Sequence, residues 1–487
     1  MTDHTLTVAG VAVDTRHWIG GERVASTETF TDVSPIDGSA LGEISRGAAT
    51  EAAAAVAAAQ AAFPAWAATP RAERARILHA IADGVEKRLE ELAIVETTDN
   101  GALLRSHRRG VMPRVAYNFR FFADWLMTLD REDFATRGHT NHVSWDPAGP
   151  CVLITPWNAP LMLATWKVAP ALAAGDTVVL KPAEWSPLTA SLLADIAAEA
   201  GLPAGVLNVV QGYGAEIGDA LTSAPEVRRI SFTGSVPTAR RIMESAAANL
   251  TPLSLELGGK SPLLVFADAD LDLAVDLAVE QYDNAGQVCL AATRILVEEP
   301  VAEEFTRRFV ERAGQLTQGD PRDEATDIGP TIHPRQLEKI DGFVRRAVAN
   351  GARVVVGGHP EGGQYYAPTL ITDVAQDSEI VQEEVFGPVL TLQTFTDEDE
   401  AVRLANDTRF GLAATLATGD PERARRVTAQ LVAGTVWVNC FFVRDLRAPF
   451  GGSRHSGVGR EGGTWSFDFY CDLKNTVTAP KGFKDHG

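Results

Sequence analysis

The chain has 487 residues, 45% of them hydrophobic and 22% charged, and a formal net charge of −20. That length exceeds what one core organises and implies two large folding units, while the apolar content excludes a disordered polypeptide. So acidic a surface repels phosphate backbones, which excludes nucleic acid as the main partner and means that an anionic substrate needs local Arg or Lys.

The start, MTDHTLTVAGVAVDTRHW, has no basic stretch followed by an apolar core, so no secretory leader is expected. The Ala-rich run at 51–68 is interrupted by Gln60 and Pro64 and reads as an amphipathic surface helix. VMPRVAYNFRFFADW (111–125) reads as a helix, and HTNHVSWDP (139–147) alternates like a strand pair. From about 150 to 266, short apolar runs alternate with helical stretches: CVLIT (151–155) then 161–174, TVVLK (177–181) then 187–201, VLNVV (206–210) then 214–223, RRISFT (228–233) then 236–248. That alternation predicts βαβ units and a parallel sheet. A second block from about 262 to 440 predicts strands at PLLVF, TRILVEE, ARVVVGG, VLTLQTF, LAATLAT and TVWVN, with helices at 301–318, 334–350 and 421–431. The segment WSFDFYCDLKNTVTA (465–479) again reads as a strand pair, expected to join 139–147 and a second subunit, because isolated ribbons are marginal. No apolar run reaches membrane-spanning length.

The four cysteines, Cys151, Cys289, Cys440 and Cys471, show neither C-x-x-C spacing nor a Cys/His cluster, so no disulfide framework and no metal site is expected. With no leader, a reducing cytoplasm is the expected location. Cys289 sits in YDNAGQVCLAATR, where a small buried hydrophobe and a nucleophile are the competing readings. Its companions decide between them. Asn158 in LITPWNAP lies just past a strand end, and Glu256 in SLELGGKSP ends a strand before paired glycines. A thiolate adding to an aldehyde creates an oxyanion, which a side-chain amide and the Cys289 N–H can hold; a carboxylate can then activate the water that hydrolyses the thioester.

A dinucleotide site is expected at the carboxyl ends of the first block's strands. GYGAEIG (212–218) misses the glycine fingerprint by one residue and reads as a plain turn. In SFTGSVPTARR, Gly234 and Ser235 make a strand-to-helix turn whose N–H groups can face a pyrophosphate. In LKPAEWSP, Lys181 ends a strand and Glu184 is placed to accept from ribose hydroxyls and to repel a 2′-phosphate, favouring NAD over NADP; a surface ion pair is the plainer reading.

TPWNAP, LKPAEWSP, FTGSVPTA, LELGGKSP, NAGQVCLAATR, EEVFGPVL, VWVN and PFGGSRHSGVGRE occur in the order of the aldehyde dehydrogenase superfamily, which the chain resembles over nearly its whole length. The resemblance implies an α/β fold with a Rossmann-type cofactor domain (1–135 and 149–257), an α/β catalytic domain (258–455) and a small β oligomerisation ribbon (136–148 and 465–480). It implies a soluble homodimer or homotetramer acting on a small-molecule aldehyde with NAD, away from membranes. It places Cys289 as nucleophile, Asn158 on the oxyanion and Glu256 on the deacylating water, with Lys167 near the oxyanion amide and tuning the thiol. Lys181 and Glu184 would hold the adenosine ribose, Ser235 beside Gly234 a phosphate, Trp157 the cleft wall, Glu384 and Gln336 the nicotinamide ribose, and Phe386 the ring. Two positions depart from the family pattern: Ala239 replaces a turn glycine, and Arg454 replaces a lysine. Glu256 distinguishes the chain from acylating relatives that pass the thioester to coenzyme A.

VRDLRAPFGG, NFRFFAD and SFDFYCDLKN resemble the hydroxymuconic semialdehyde dehydrogenase group, including enzymes for the 5-carboxymethyl derivative. Arg444 is the first candidate for a substrate carboxylate and Arg114 the second, because a guanidinium grips a carboxylate bidentately. Arg120 reads as structural, and pairing of these arginines with Asp124 or Asp445 is the competing reading. The alternatives are a general aliphatic or betaine aldehyde dehydrogenase and, outside catalysis, an inactive structural homologue.

Overall fold

The computed structural model describes residues 4–129 and 132–482. Its first large sheet is built on five parallel strands in the spatial order Leu207–Val209, Thr177–Lys181, Pro150–Ile154, Arg229–Gly234, Leu253–Leu257. Numbered along the chain this is 3-2-1-4-5, the doubly wound arrangement in which the connections reverse direction between strands one and four. These strands read as continuous apolar runs rather than alternating ones, because helices cover both faces. Antiparallel strands close both edges: His17–Ile19 with Glu22–Val24 on one, Gly457–Val458 on the other. The second edge matters for the site, since it seats the returning chain directly against Glu256, which pairs with Gly457.

The second sheet runs Arg353–Val356, Thr369–Thr372, Val389–Phe395, Arg294–Glu298, Pro262–Val265, Ala413–Ala417, Thr435–Val438, parallel except for its first strand. The six strands expected from the second block are all present. Thr369–Thr372 and the helices Leu271–Val279 and Glu398–Asn406 were not among the expected elements. The helix Ala49–Ala67 continues through both Gln60 and Pro64. It buries Ala52, Ala55, Val56 and Ala59, the spacing of one helical face.

The third sheet is a three-stranded antiparallel ribbon, Cys471–Thr478, His139–Pro147, Glu132–Thr136. It corrects two readings. HTNHVSWDP is one strand, not a pair, and its second neighbour is 132–136. WSFDFYCDLKNTVTA is half helix: Gly463–Tyr470 is helical and the strand begins at Cys471. The reason lies in spacing, since the buried residues of that helix, Gly463, Ser466, Phe467 and Tyr470, fall at i, i+3, i+4 and i+7. Phe467 packs edge-on against Phe122 of the helix Met112–Leu126, with ring centroids 6.2 Å apart.

Candidate active site

A cleft of about 580 Å³ opens over the carboxyl ends of the first sheet's strands, where the strand order reverses. Trp157, Lys181, Glu184, Gly234 and Ser235 all line it. Lys181 is buried, and its Nζ lies 3.2 Å from Glu184 Oε2. Burial pulls the Lys181 ammonium below its ordinary pKa, and the Glu184 carboxylate partly restores it. The pair is therefore a wall of the cleft rather than a surface contact. Ser235 caps the helix Val236–Ala246, accepting from the Thr238 N–H at 3.4 Å. Ala239, the departure from the family turn, is buried in the apolar cluster with Phe232 and Ile242 and is not among the cleft-lining residues.

Phe386 packs edge-on against the cleft residue Trp157, with centroids 5.2 Å apart, and holds a left-handed φ of +59°. Such backbone values in a bulky residue are costly and persist where the surroundings over-determine them. Glu384 Oε1 accepts from the Gly259 N–H at 2.9 Å. A Cβ on Gly258 would lie 2.1 Å from Glu384 Oε2, so the Gly-Gly turn after Glu256 exists to admit this carboxylate. Gln336, expected on the same ribose, is turned elsewhere: its Nε2 donates to the carbonyls of Phe386 at 2.7 Å and Val385 at 3.2 Å. It thus holds the loop that carries Glu384 and Phe386.

A separate cavity of about 140 Å³ brings Asn158, Glu256, Cys289, Trp166, Phe442 and Arg444 together. Cys289 follows a tight turn in which Asn284, Ala285 and Gly286 all have left-handed φ. Burial, then the Glu384 and Glu256 carboxylates, push its thiol up to about 12, and Arg444 draws it back. Asn158 Nδ2 donates to the Gln287 carbonyl at 2.9 Å, and Asn284 Nδ2 donates to the Asn158 carbonyl at 3.0 Å. These two bonds lock the strand-end amide onto the turn that carries the thiol. Glu256 is buried with neither carboxylate oxygen hydrogen-bonded. Burial first, then Glu461, raise its pKa well above the carboxylate range. An orphaned buried carboxylate is rare and costly, and it marks a group kept available for a proton.

Lys167 is fully buried behind the cavity residue Glu461. Its Nζ donates to Ser231 Oγ at 2.8 Å and to Glu461 Oε1 at 2.9 Å, with no bond to Asn158 or to the thiol. Its charge acts on Glu256, which it lowers. Glu461 itself escaped the sequence reading. It accepts from Trp166 Nε1 at 2.6 Å, from Lys167 and from Ser231 and Ser254, joining segments up to 295 residues apart. The available signal was a charged residue closing the motif PFGGSRHSGVGRE.

The arginines separate cleanly. Arg120 pairs with Asp83 and Glu86, Arg447 with Asp445, and Asp124 with His79. Arg444 has no carboxylate within ion-pair distance among the described residues. Its guanidinium lies 3.7 Å from the Phe450 ring centroid and 4.9 Å from that of Trp166, in the cavity with Cys289. Arg114 donates to Asn118 Oδ1 at 3.0 Å and lies 5.7 Å from the Trp166 centroid, outside the cavity lining. Burial lowers it to about 10.

The sequence pattern of the aldehyde dehydrogenase family matches residues 23–476. The 2-aminomuconic semialdehyde dehydrogenase of Danio rerio is 42% identical over 95% of this chain and 97% of its own length. The 5-carboxymethyl-2-hydroxymuconate semialdehyde dehydrogenase of Escherichia coli is 43% identical, covering 92% and 98%. Among solved structures, betaine aldehyde dehydrogenase from Staphylococcus aureus in complex with NAD+ superposes with a TM-score of 0.95 at 36% identity, covering 97% of each chain. The chain belongs to the aldehyde dehydrogenase family and is an aldehyde oxidoreductase.

Proposed function

We propose that this enzyme oxidises an aldehyde that also bears a carboxylate, of the muconic semialdehyde type, to the free acid with NAD. The observation that carries the substrate class is Arg444, a cation without a carboxylate partner, stacked on two aromatic rings inside the cavity that holds Cys289 and Glu256. A cationic aldehyde such as betaine aldehyde would meet that charge unfavourably. The two curated relatives named above act, by name, on muconic-type semialdehydes.

The cleft suits NAD. Glu184 can accept from both ribose hydroxyls and repel a 2′-phosphate, and Glu384, which Gly258 leaves room for, can accept from the second ribose. Lys181, Ser235 and Trp157 supply further walls, with Phe386 packed behind Trp157. NAD, when bound, takes up two electrons and the aldehyde hydrogen. The chain does the rest. The Cys289 thiol loses its proton to Glu256, whose proton affinity burial raises, and the thiolate adds to the carbonyl carbon. Asn158 Nδ2 and the Cys289 N–H hold the oxyanion of the thiohemiacetal. After oxidation to the thioester, Glu256 gives up the proton it took from Cys289 to solvent and then removes a proton from water; the resulting hydroxide adds, the C–S bond breaks, and the thiolate leaves. Lys167 and Glu461 set the charge behind Glu256 with opposite signs.

Steady-state NADH formation tests the substrate class. Wild type and Arg444→Ala are compared on 2-hydroxymuconic semialdehyde, its 5-carboxymethyl derivative, hexanal and betaine aldehyde. The expected result is the highest kcat/KM on a muconic substrate and a loss of about 2–4 kcal/mol of transition-state stabilisation in the variant, confined to carboxylated substrates. Equal losses across the panel, or preference for betaine aldehyde, would overturn the substrate class. The ribbon leaves Phe134, Leu473 and Val477 more than half exposed, which supports a subunit contact there; sedimentation of a Leu473→Lys, Val477→Lys variant tests it.

A further inference from the structure

Three buried carboxylates lie outside the catalytic cavity and keep an oxygen without a hydrogen bond: Asp32, Glu96 and Asp99. Glu96 is the most informative. It belongs to the helix Leu89–Asn100 and is fully buried, yet its Oε2 accepts from the Leu161 N–H at 3.1 Å and from Thr189 Oγ1 at 2.8 Å. Leu161 is the second residue of the helix Pro160–Ala174, whose preceding residue, Ala159, has no side chain able to cap it. A helix start leaves N–H groups without partners, and a carboxylate there meets both the hydrogen-bonding need and the dipole. The capping group thus comes from a helix more than 60 residues away in sequence, and it acts three residues after Asn158.

We propose that Glu96 is a positioning residue for the oxyanion amide. Its carboxylate fixes the first turn of the helix Pro160–Ala174 and with it the Asn158 side chain on the Cys289 turn. The proposal rests on the reading of Asn158 as oxyanion donor. Asn158 is held on one side by Gln287 and Asn284 and on the other only through the backbone leading into this helix. The groups facing Glu96 leave its charge uncompensated. His107, from the π-helical turn His107–Val111, sits with its Nε2 3.7 Å from Glu96 Oε1, is neutral because burial lowers it to about 4, and is among the residues lining the aldehyde cavity. Thr189 offers only a hydroxyl from its helix. Asp99 on the same helix and Asp32 from the strand Thr29–Val33 are themselves raised by burial. Burial therefore raises Glu96 to about 7, with the Thr189 and Leu161 bonds opposing. Above that pH it is ionised and holds the Leu161 N–H by a charge-assisted bond; below it the bond weakens to a neutral one.

The test compares wild type, Glu96→Gln, Thr189→Val and Asn158→Ala by single-turnover and steady-state kinetics from pH 6 to 9. Glu96→Gln is expected to lower kcat about tenfold at pH 8.5 with KM for NAD little changed, and the ratio of wild type to variant should shrink towards one by about pH 6. Thr189→Val removes a bond that lowers the Glu96 pKa, so the inflection in kcat should move to higher pH. Amide hydrogen exchange across 158–165 should quicken in Glu96→Gln. A pH-independent ratio, an unmoved inflection in Thr189→Val, or unchanged exchange would overturn the proposal. Asn158→Ala separates the two readings. It is expected to lose about 100-fold or more in kcat. If it does and Glu96→Gln does not respond, the positioning role alone fails; if Asn158→Ala keeps its activity, the oxyanion reading fails and takes this proposal with it.

Discussion

The cofactor cleft and the aldehyde cavity share Thr233, near the end of the strand Arg229–Gly234, but they are assembled differently. The cleft is a row of strand ends. Trp157, Lys181, Glu184, Gly234 and Ser235 each sit within a few residues of the carboxyl end of a strand in one sheet, so a local turn is enough to aim them. The aldehyde cavity gathers Asn158, Glu256, Cys289, Arg444 and Glu461 from five separate segments, and most of these side chains depend on partners far away in sequence. In the cleft Lys181 and Glu184 are paired; in the cavity neither Glu256 oxygen is hydrogen-bonded, and Arg444 meets aromatic rings but no carboxylate within ion-pair distance among the described residues. A doubly wound sheet supplies a nucleotide crevice from its topology, whereas reactive groups have to be kept unsatisfied by the rest of the fold.

That contrast predicts where substitutions act. Cys289→Ala should abolish aldehyde oxidation, a loss of about 10⁴-fold or more in kcat, while NAD binding measured by quenching of Trp157 fluorescence stays within about twofold. Loss of NAD binding as well would mean that cleft and cavity are one unit. Next in size is Glu256→Gln, expected to lower kcat by about 10²–10⁴-fold. Glu256 acts as a base only when ionised, and its pKa is raised, so wild-type kcat should fall as the pH drops through a value well above the carboxylate range. The variant should lack that limb; a pH profile identical to wild type would remove Glu256 from the base role.

Lys167→Met leaves Glu461 buried without its cation. Breaking a buried pair on one side costs about 3–5 kcal/mol, so the midpoint of urea unfolding should fall clearly, and the Glu256 limb should move to higher pH because a lowering charge is gone. An unshifted limb would separate this pair from the catalytic carboxylate. The smallest effect is expected in the cleft. Glu184→Gln should raise KM for NAD by up to about tenfold and improve the use of NADP, read as the ratio of the two kcat/KM values.

The regular elements around the cleft were legible because their determinants are local. Buried parallel strands read as short apolar runs, helices as 3.6-residue periodicity, and turns as Gly, Pro and Ser at strand ends. The same locality failed at 465–470, where alternating aromatic residues resembled a strand until packing against Phe122 selected the helical face. Cys289, Asn158 and Glu256 were recognisable as residue types in motifs, and the structure brings them to one cavity.

The sequence by itself determined the alternation of elements, the cleft at the strand ends and the motifs that hold the candidate residues Asn158, Glu256 and Cys289, since each depends on residues close along the chain. Tertiary structure alone decided who partners whom. It joined Lys167 to Glu461 across 294 positions, turned Gln336 onto the Phe386 carbonyl, left Arg444 without a carboxylate while giving Arg120 two, and brought Glu96 to the start of the helix behind Asn158. The physical reason is that a buried polar group takes whatever partner the packed fold brings within about 3 Å, and that neighbour is set by sheet order and helix crossing rather than by spacing along the chain.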